Sequence, residues 1–349
     1  MRDLAIESLG KLAGSRRKAV AVSPEGLVRM APLRPEGGLP ALVRPVVDGV
    51  DLAAWAADHR DLVETELRSS GGILFRGFGL RTTEELERVI RALYGDLLAY
   101  TDRVQPRTQL GSNVYSSTEY PPDQSIELHG ESSYAYSWPL RIFFFCMTPS
   151  PVGGETPLAN CRGIFARMDP EVRQRLVDRK VMYVRNFGDG LGITWQTAFQ
   201  TGDKDVMEEF CRAKGIEVEW RGGDRLRTRS VRPVAAPHPR TGEWTWFNAL
   251  VSSHSSTLDP AVRQALLSEY AEDELPKNSF YGDGSPFEPE TLAEIRRACR
   301  EETIAFPWEQ GDLLLLDNML TAHGRAPYQG PRKVVVAMAE AVSLGDLAL

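Results

Sequence analysis

The chain has 349 residues, of which 42% are hydrophobic and 26% charged, and its formal net charge is −7. This is the composition of an ordinary globular protein with material for one large core. The acidic balance argues against a nucleic-acid surface and against a polybasic membrane patch. Cys146, Cys161, Cys211 and Cys299 are widely spaced, with no CxxC pair. That spacing excludes the common zinc ribbons and fingers, offers no disulfide framework, and reads as reduced thiols. No apolar run reaches the length of a membrane span, and MRDLAIESLGKLAG lacks the apolar centre of a signal peptide, so the expected location is cytoplasmic.

Residues 1–40 are rich in Gly, Pro, Arg and Ser and read as a loosely docked arm. The Arg16-Arg17-Lys18 cluster within it reads as a solvated tail. From 41 to 349 a single domain is expected. A helix is predicted near 52–68, then a short buried strand at Ile73, Leu74 and Phe75 between glycines. Thr82-Thr83-Glu84-Glu85 is a capping box, and it opens a helix whose stripe is Leu86, Val89, Ile90, Leu93 and Leu97.

Beyond this α+β front section the chain is mostly β. Strands are predicted at 139–148, 181–187, 244–251, 312–317 and 333–339. Continuous runs such as FFFC and LLLL suit strands covered on both faces. Asp259-Pro260 starts a helix, with Asp as cap and Pro at the first helical position, and another helix ends near Gly215. Many short strands with helical insertions predict a mainly β fold with helical decorations. The architecture expected is a double-stranded β-helix, the jelly-roll or cupin-like barrel.

Five histidines can be weighed one by one. His129-Gly130-Glu131 sets an imidazole and a carboxylate two residues apart, and in extended backbone both face the same way. Gly130 adds no bulk between them. His323 is the best third partner, placed in the polar turn TAHGRAP after the strand that ends at Asp317. Two histidines and one carboxylate, with the other positions open, form the facial triad of non-haem Fe(II) oxygenases. Alone, an HxE is a weak signal, since loop histidines usually serve the surface or a hydrogen bond. His59 reads as a surface helix position, His238 as part of a hairpin turn, and His254 as a strand end with a structural hydrogen bond. None has a carboxylate two residues away.

Arg332 opens the strand KVVVAMA and can grip a carboxylate through two parallel hydrogen bonds. Its ordinary reading is a strand-end surface cation. Arg325 is a second candidate, and the residues alone do not separate the two. Thr156, after a two-glycine turn, offers a hydroxyl, although most such residues are turn threonines.

The segments STEYPP (117–122), LHGE (128–131), GGETPLAN (153–160), WQTAFQT (195–201), HPRTGEWTWFN (238–248) and GDLLLLDNMLTAHGRAPYQGPRK (311–333) resemble the TauD/TfdA superfamily of Fe(II)/2-oxoglutarate dioxygenases. Within it they are most similar to the branch of SyrP-like and clavaminate-synthase-like proteins, which includes amino-acid hydroxylases of antibiotic biosynthesis. The resemblance covers about residues 70 to 345. It implies that His129, Glu131 and His323 bind iron, and that Thr156 and Arg332 bind 2-oxoglutarate. Fe(II) is then the metal, with 2-oxoglutarate and O₂ as co-substrates. The small-molecule substrate it implies is an amino acid or an aminoacyl group on a carrier protein, hydroxylated by default.

Two positions depart from the family pattern. Gly130 stands where Asn is frequent, and WFNA where WFNQ is common, which bears on the substrate rather than the chemistry. Glu131 is retained, which disfavours the halogenation found where a small residue replaces that carboxylate. The hydroxyls and carboxylate of Ser116-Ser117-Thr118-Glu119-Tyr120 suit an ammonium and a polar side chain. Rival readings are desaturation, cyclisation or epoxidation at the same site, a non-oxidative cupin-like hydrolase or isomerase, and an inactive ligand-binding barrel.

Overall fold

The computed structural model describes residues 26–34, 38–100, 108–117, 120–188, 190 and 192–347. Two sheets carry the architecture. The larger has seven strands in the order Val28–Pro32, Ala41–Pro45, Gly72–Phe75, Leu313–Asp317, Ser137–Thr148, Lys333–Ser343 and Val114–Ser116. The smaller has four, in the order Thr303–Ile304, Leu158–Asn160, Thr321–Arg325 and Ile126–His129. Together they form the expected jelly roll.

Residues 142–146, IFFFC, show why the apolar runs are continuous. Successive side chains alternate between faces, and here both faces are covered. Phe143 and Phe145 share an outer core with Leu313 and Leu315 and with Leu86, Val89, Ile90 and Leu93 of the helix Thr83–Tyr94. Burying each of those helix side chains contributes about 2 kcal/mol relative to exposure. Ile142 and Phe144 point the other way, into an inner core with Leu314, Leu316, Val334, Val336 and Leu158. Leu158 belongs to the small sheet, so this core joins the two layers. The predicted capping box is present, with Thr82 accepting from Glu85 N and the Glu85 carboxylate accepting from Thr82 N.

Four expectations are corrected. The helix near 52–68 is two helices, Leu52–Asp58 and Arg60–Ser70. His59 breaks them: its ring stacks on Trp55 at 4.8 Å and its Nδ1 lies 2.8 Å from Trp55 O, drawing the chain out of register. The strand at 244–251 stops at Trp246, because Asn248 accepts from Leu250 N and donates to Val234 O, starting the helix Leu250–Ser253. His254 therefore follows a helix rather than a strand. His323 lies in a buried strand, not a turn. Gly324 permits this, since a Cβ there would come within 2.5 Å of Ile126 O on the neighbouring strand.

The arm expected at 1–40 lies largely outside the described residues. Its described part, Val28–Pro32, pairs antiparallel with Ala41–Pro45 as the edge of the large sheet. Between the two halves of the barrel, residues 181–281 contribute a second four-stranded sheet, ordered Glu217–Trp220, Leu226–Arg232, Val181–Phe187 and Lys277–Tyr281. Among the described residues no helix is long and apolar enough to cross a membrane.

Candidate metal centre and anion cleft

The small sheet sets two histidines side by side. His129 ends its strand and is the direct antiparallel partner of His323 on the next one. Their ring centroids are 4.6 Å apart, and Phe144 of the large sheet packs edge-on against His323 at 5.0 Å. The chain then turns, and Glu131 enters the same space. One ligand atom from each of His129, Glu131 and His323 lies within 4.8 Å of the others.

Several contacts fix this geometry. His129 Nδ1 lies 2.8 Å from Glu127 O, so the Nδ1 proton is engaged there and Nε2 carries the lone pair. Asn318 holds Glu131 by its main chain: its Oδ1 accepts from Glu131 N at 2.8 Å, and its Nδ2 donates to Glu131 O at 2.9 Å. A third bond runs from Asn318 Nδ2 to Pro139 O at 2.8 Å. Gly130 N donates to Asn248 O, and a Cβ on Gly130 would lie 2.5 Å from the Phe247 ring. A side chain at position 130 would therefore displace the HxE segment.

The donor set fits a non-haem iron ion. His323 Nε2 stands 3.7 Å from Glu131 Oε2, wider than a hydrogen bond but within the span of two ligands sharing one ion. Glu131 and His323 are buried, so a shared cation offsets the cost of holding that carboxylate away from water.

These three residues sit in a cleft of about 420 Å³, counting its open mouth, which Thr156, Arg325 and Arg332 also line. The two arginines are committed differently. Arg325 spends its terminal nitrogens on the main chain, donating to Tyr120 O, Pro121 O and Gln124 O. Arg332 donates from Nε to Gly154 O at 2.8 Å and only distantly, at 3.4 Å, to Ser117 Oγ. Among the described residues Arg332 forms no ion pair. Burial, then the neighbouring Arg325, pulls its pKa below the ordinary arginine value. Thr156 Oγ1 accepts from Trp308 Nε1 at 3.2 Å, which leaves its own proton to donate elsewhere. Ile126, Phe144 and Val336 form apolar walls.

Of the other histidines, His59 caps a helix, as described. His238 is buried and donates from Nε2 to Asp317 Oδ2 at 3.1 Å, while its Nδ1 accepts from Arg240 N and Thr241 N. His254 is buried, and its Nδ1 lies 2.8 Å from Ser256 Oγ. Neither joins the group of three. Thr118 and Glu119 of the hydroxyl-rich segment lie outside the described residues, Ser117 lines the cleft, and Ser116 Oγ accepts from Thr108 N.

The sequence reading missed Asn318 and Trp308. Asn318 beside Asp317 at a strand end looks like a turn residue, and its partner Glu131 is 187 positions away. No local pattern announces such a bond.

A jelly roll with two imidazoles and a carboxylate on one edge, facing an arginine that lacks an acidic partner among the described residues, defines the class of non-haem iron oxygenases that take an anionic co-substrate. Residues 32–338 match the sequence profile of the "Taurine catabolism dioxygenase TauD, TfdA family". The chain belongs to that family, and it is an Fe(II)- and 2-oxoglutarate-dependent dioxygenase. It is 35% identical to dapdiamide synthesis protein DdaC of Enterobacter agglomerans, over 86% of this chain and 94% of that one. It is 30% identical to a clavaminate synthase-like protein of Arabidopsis thaliana, over 80% and 84%. Among solved structures it is similar to PvcB, described as an Fe, alpha-ketoglutarate dependent oxygenase from an isonitrile synthetic pathway. There the TM-score is 0.55 and the identity 18%, covering 95% of this chain and 98% of that one.

Proposed function

We propose that the enzyme hydroxylates an amino acid, free or carried as an aminoacyl group, in specialised metabolism, with iron held by His129, Glu131 and His323. The observation that carries this reading is the convergence of those three groups in a cleft shared with Arg332. Relatives named for dapdiamide synthesis and as clavaminate synthase-like support the metabolic setting.

The chain's own contribution is positional. Arg332 offers its terminal guanidinium nitrogens, and Thr156 its hydroxyl proton, to the distal carboxylate of 2-oxoglutarate. Arg325, whose nitrogens already serve three carbonyls, braces the 120–124 loop instead. Asn318 keeps Glu131 on its path, and Phe144 and Val336 keep water from the inner wall. Iron bound with 2-oxoglutarate and O₂ supplies the oxidative decarboxylation to succinate and CO₂ that accompanies oxidation of a substrate C–H bond. Residues 41–349 act as one catalytic unit to which Val28–Pro32 adds an edge strand. The location belonging to this reading is cytoplasmic, in keeping with four cysteines that form no disulfide.

The test is succinate release under air with Fe(II) and 2-oxoglutarate, across free and carrier-loaded amino acids, with mass spectrometry of the products. Stimulation by one of them with gain of one oxygen is the expected result. If only sulfonates, aryloxy acids or phosphonates are oxidised, the substrate class is wrong while the iron and co-substrate assignments stand.

A further inference from the structure

A second cleft, of about 490 Å³ with its open mouth, lies over the four-stranded sheet of the 181–281 insertion. The strand register builds its floor. Thr228 pairs with Arg185, and Arg185 with Lys277, so three strands set a hydroxyl and two cations in one row on one face. Two residues along, the same face carries Ser230, Tyr183 and Ser279. Phe199 adds an aromatic ring to the lining. Tyr134 and Ser253 border it on the side of the iron ligands. Tyr134 ends the turn that begins at Glu131, and Ser253 ends the helix packed on the His129 strand. The Glu131–Tyr134 turn and the Leu250–Ser253 helix thus both connect the segment of the iron ligands with the lining of this cleft.

Lys277 is half-buried and points into this space. It donates one hydrogen bond, from Nζ to Ser252 O at 3.0 Å, and has no carboxylate within ion-pair distance among the described residues. An ammonium has three donors, so two remain. The Thr228 and Ser230 side chains make no hydrogen bond among the described residues. Asn278, by contrast, is engaged by Oδ1 with Ser255 N and Ser279 N and by Nδ2 with Glu272 O. A cation drawn out of water without a counter-charge is costly unless an anion arrives to meet it. Burial, then Arg185, holds the Lys277 pKa below the ordinary lysine value, which a bound oxyanion reverses.

We infer that this cleft binds an oxyanion of the substrate, with Lys277 as its charge partner and the Thr228 and Ser230 hydroxyls as further donors. The proposal rests on the dioxygenase reading above and deepens it. The same oxyanion chemistry has two sources, the carboxylate of a free amino acid or the phosphate of a carrier's pantetheine arm.

The test uses the full chain with Fe(II) and saturating 2-oxoglutarate under nitrogen, so that the Arg332 cleft is filled. Acetate, inorganic phosphate and phosphopantetheine are titrated by calorimetry into the wild type, Lys277→Met and Lys277→Arg. Wild-type binding that falls about tenfold or more in Lys277→Met and returns in part in Lys277→Arg is the expected result. The tighter of acetate and phosphopantetheine names the source. No binding of any probe by the wild type, or equal binding by Lys277→Met, overturns the proposal. Should Lys277→Met fail to fold by circular dichroism, Thr228→Val with Ser230→Ala replaces it, with a smaller loss expected and an unchanged affinity counting against the site. Iron-dependent succinate release without added substrate tests the dioxygenase reading separately, and its failure leaves the anion titration intact.

Discussion

Two buried regions of this protein bring carboxylates, imidazoles and arginines together, and they differ in how the charges are met. Around Asp317 each charge has an opposite charge beside it. Arg141, fully buried, binds Asp317 at 2.5 Å, Glu64 at 2.8 Å and Glu340 at 3.2 Å, and His238 gives Asp317 a further bond. Burial alone would raise the Asp317 pKa, but the His238 bond and Arg141 hold it below the ordinary carboxylate value. In the cleft, Glu131 faces two imidazoles across a gap of 3.7 Å or more, and Arg332 has no acidic partner among the described residues. A cluster whose charges are closed by protein is a structural joint. One that sets a carboxylate between two imidazoles, beside an arginine with no acidic partner among the described residues, is where a ligand enters.

The largest effect should come from removing a member of the cleft cluster. His323→Ala is expected to reduce succinate formation to background and to weaken iron binding, with the melting temperature moved by at most a few degrees. Full activity in that variant removes His323 from the metal site. Asp317→Asn attacks the closed cluster instead and leaves Arg141 undercompensated. It should cost about 3–5 kcal/mol in urea unfolding, and a loss under 1 kcal/mol would show that the joint carries little. It should also lower activity indirectly, since Asp317 accepts from the main-chain N–H groups of Met319 and Leu320 just before the His323 strand.

Next in size, Arg332→Lys keeps the charge but loses the planar fork. The apparent affinity for 2-oxoglutarate should fall by about tenfold to a hundredfold, with iron affinity nearly unchanged. Arg325→Lys should disturb it less. The reverse ranking in oxygen-consumption assays would transfer the anchor to Arg325. Smallest is the effect of His254, a buried imidazole outside both clusters. Burial lowers its pKa from 6.5 to about 4. The unfolded chain therefore binds its proton first, so stability present above pH 6.5 drains away as the pH falls toward 4, by at most about 3 kcal/mol. Thermal melts of His254→Gln should lose less stability across that window than the wild type, and parallel curves would rule the contribution out.

Four of the seven large-sheet strands, Gly72–Phe75, Ser137–Thr148, Leu313–Asp317 and Lys333–Ser343, were legible because their signals are local, whereas Ala41–Pro45 and Val114–Ser116 drew no expectation and Val28–Pro32 fell in the expected arm. FFFC and LLLL announce strands covered on both faces, and Thr82 with Glu85 announces a helix start. HxE was legible as a pair, but not for the expected reason: the strand ends at His129, and a turn rather than strand periodicity brings Glu131 into the same space. His323 was legible as a partner but not in its setting. Gly324 and Arg325 suggested a polar turn, whereas cross-strand pairing with His129 and Leu158 buries the segment. The ranking of Arg332 over Arg325 was invisible for a related cause. It depends on which carbonyls the folded loops bring to each guanidinium, and those lie some 178 to 205 positions away. The same holds for Asn318, and for the row of Thr228, Arg185 and Lys277, which exists only once three strands are in register.

Asn318 touches Glu131 solely through main-chain atoms, at N and at O. The path of the chain at position 131 is therefore set by one residue and the donor atom offered there by another. Drift at 131 can change the group offered to the cleft while the turn keeps its course, and drift at 318 can move the turn while that group stays the same. A scaffold divided in this way can explore new reactivity one substitution at a time, because altering the reaction and destabilising the architecture are separate events.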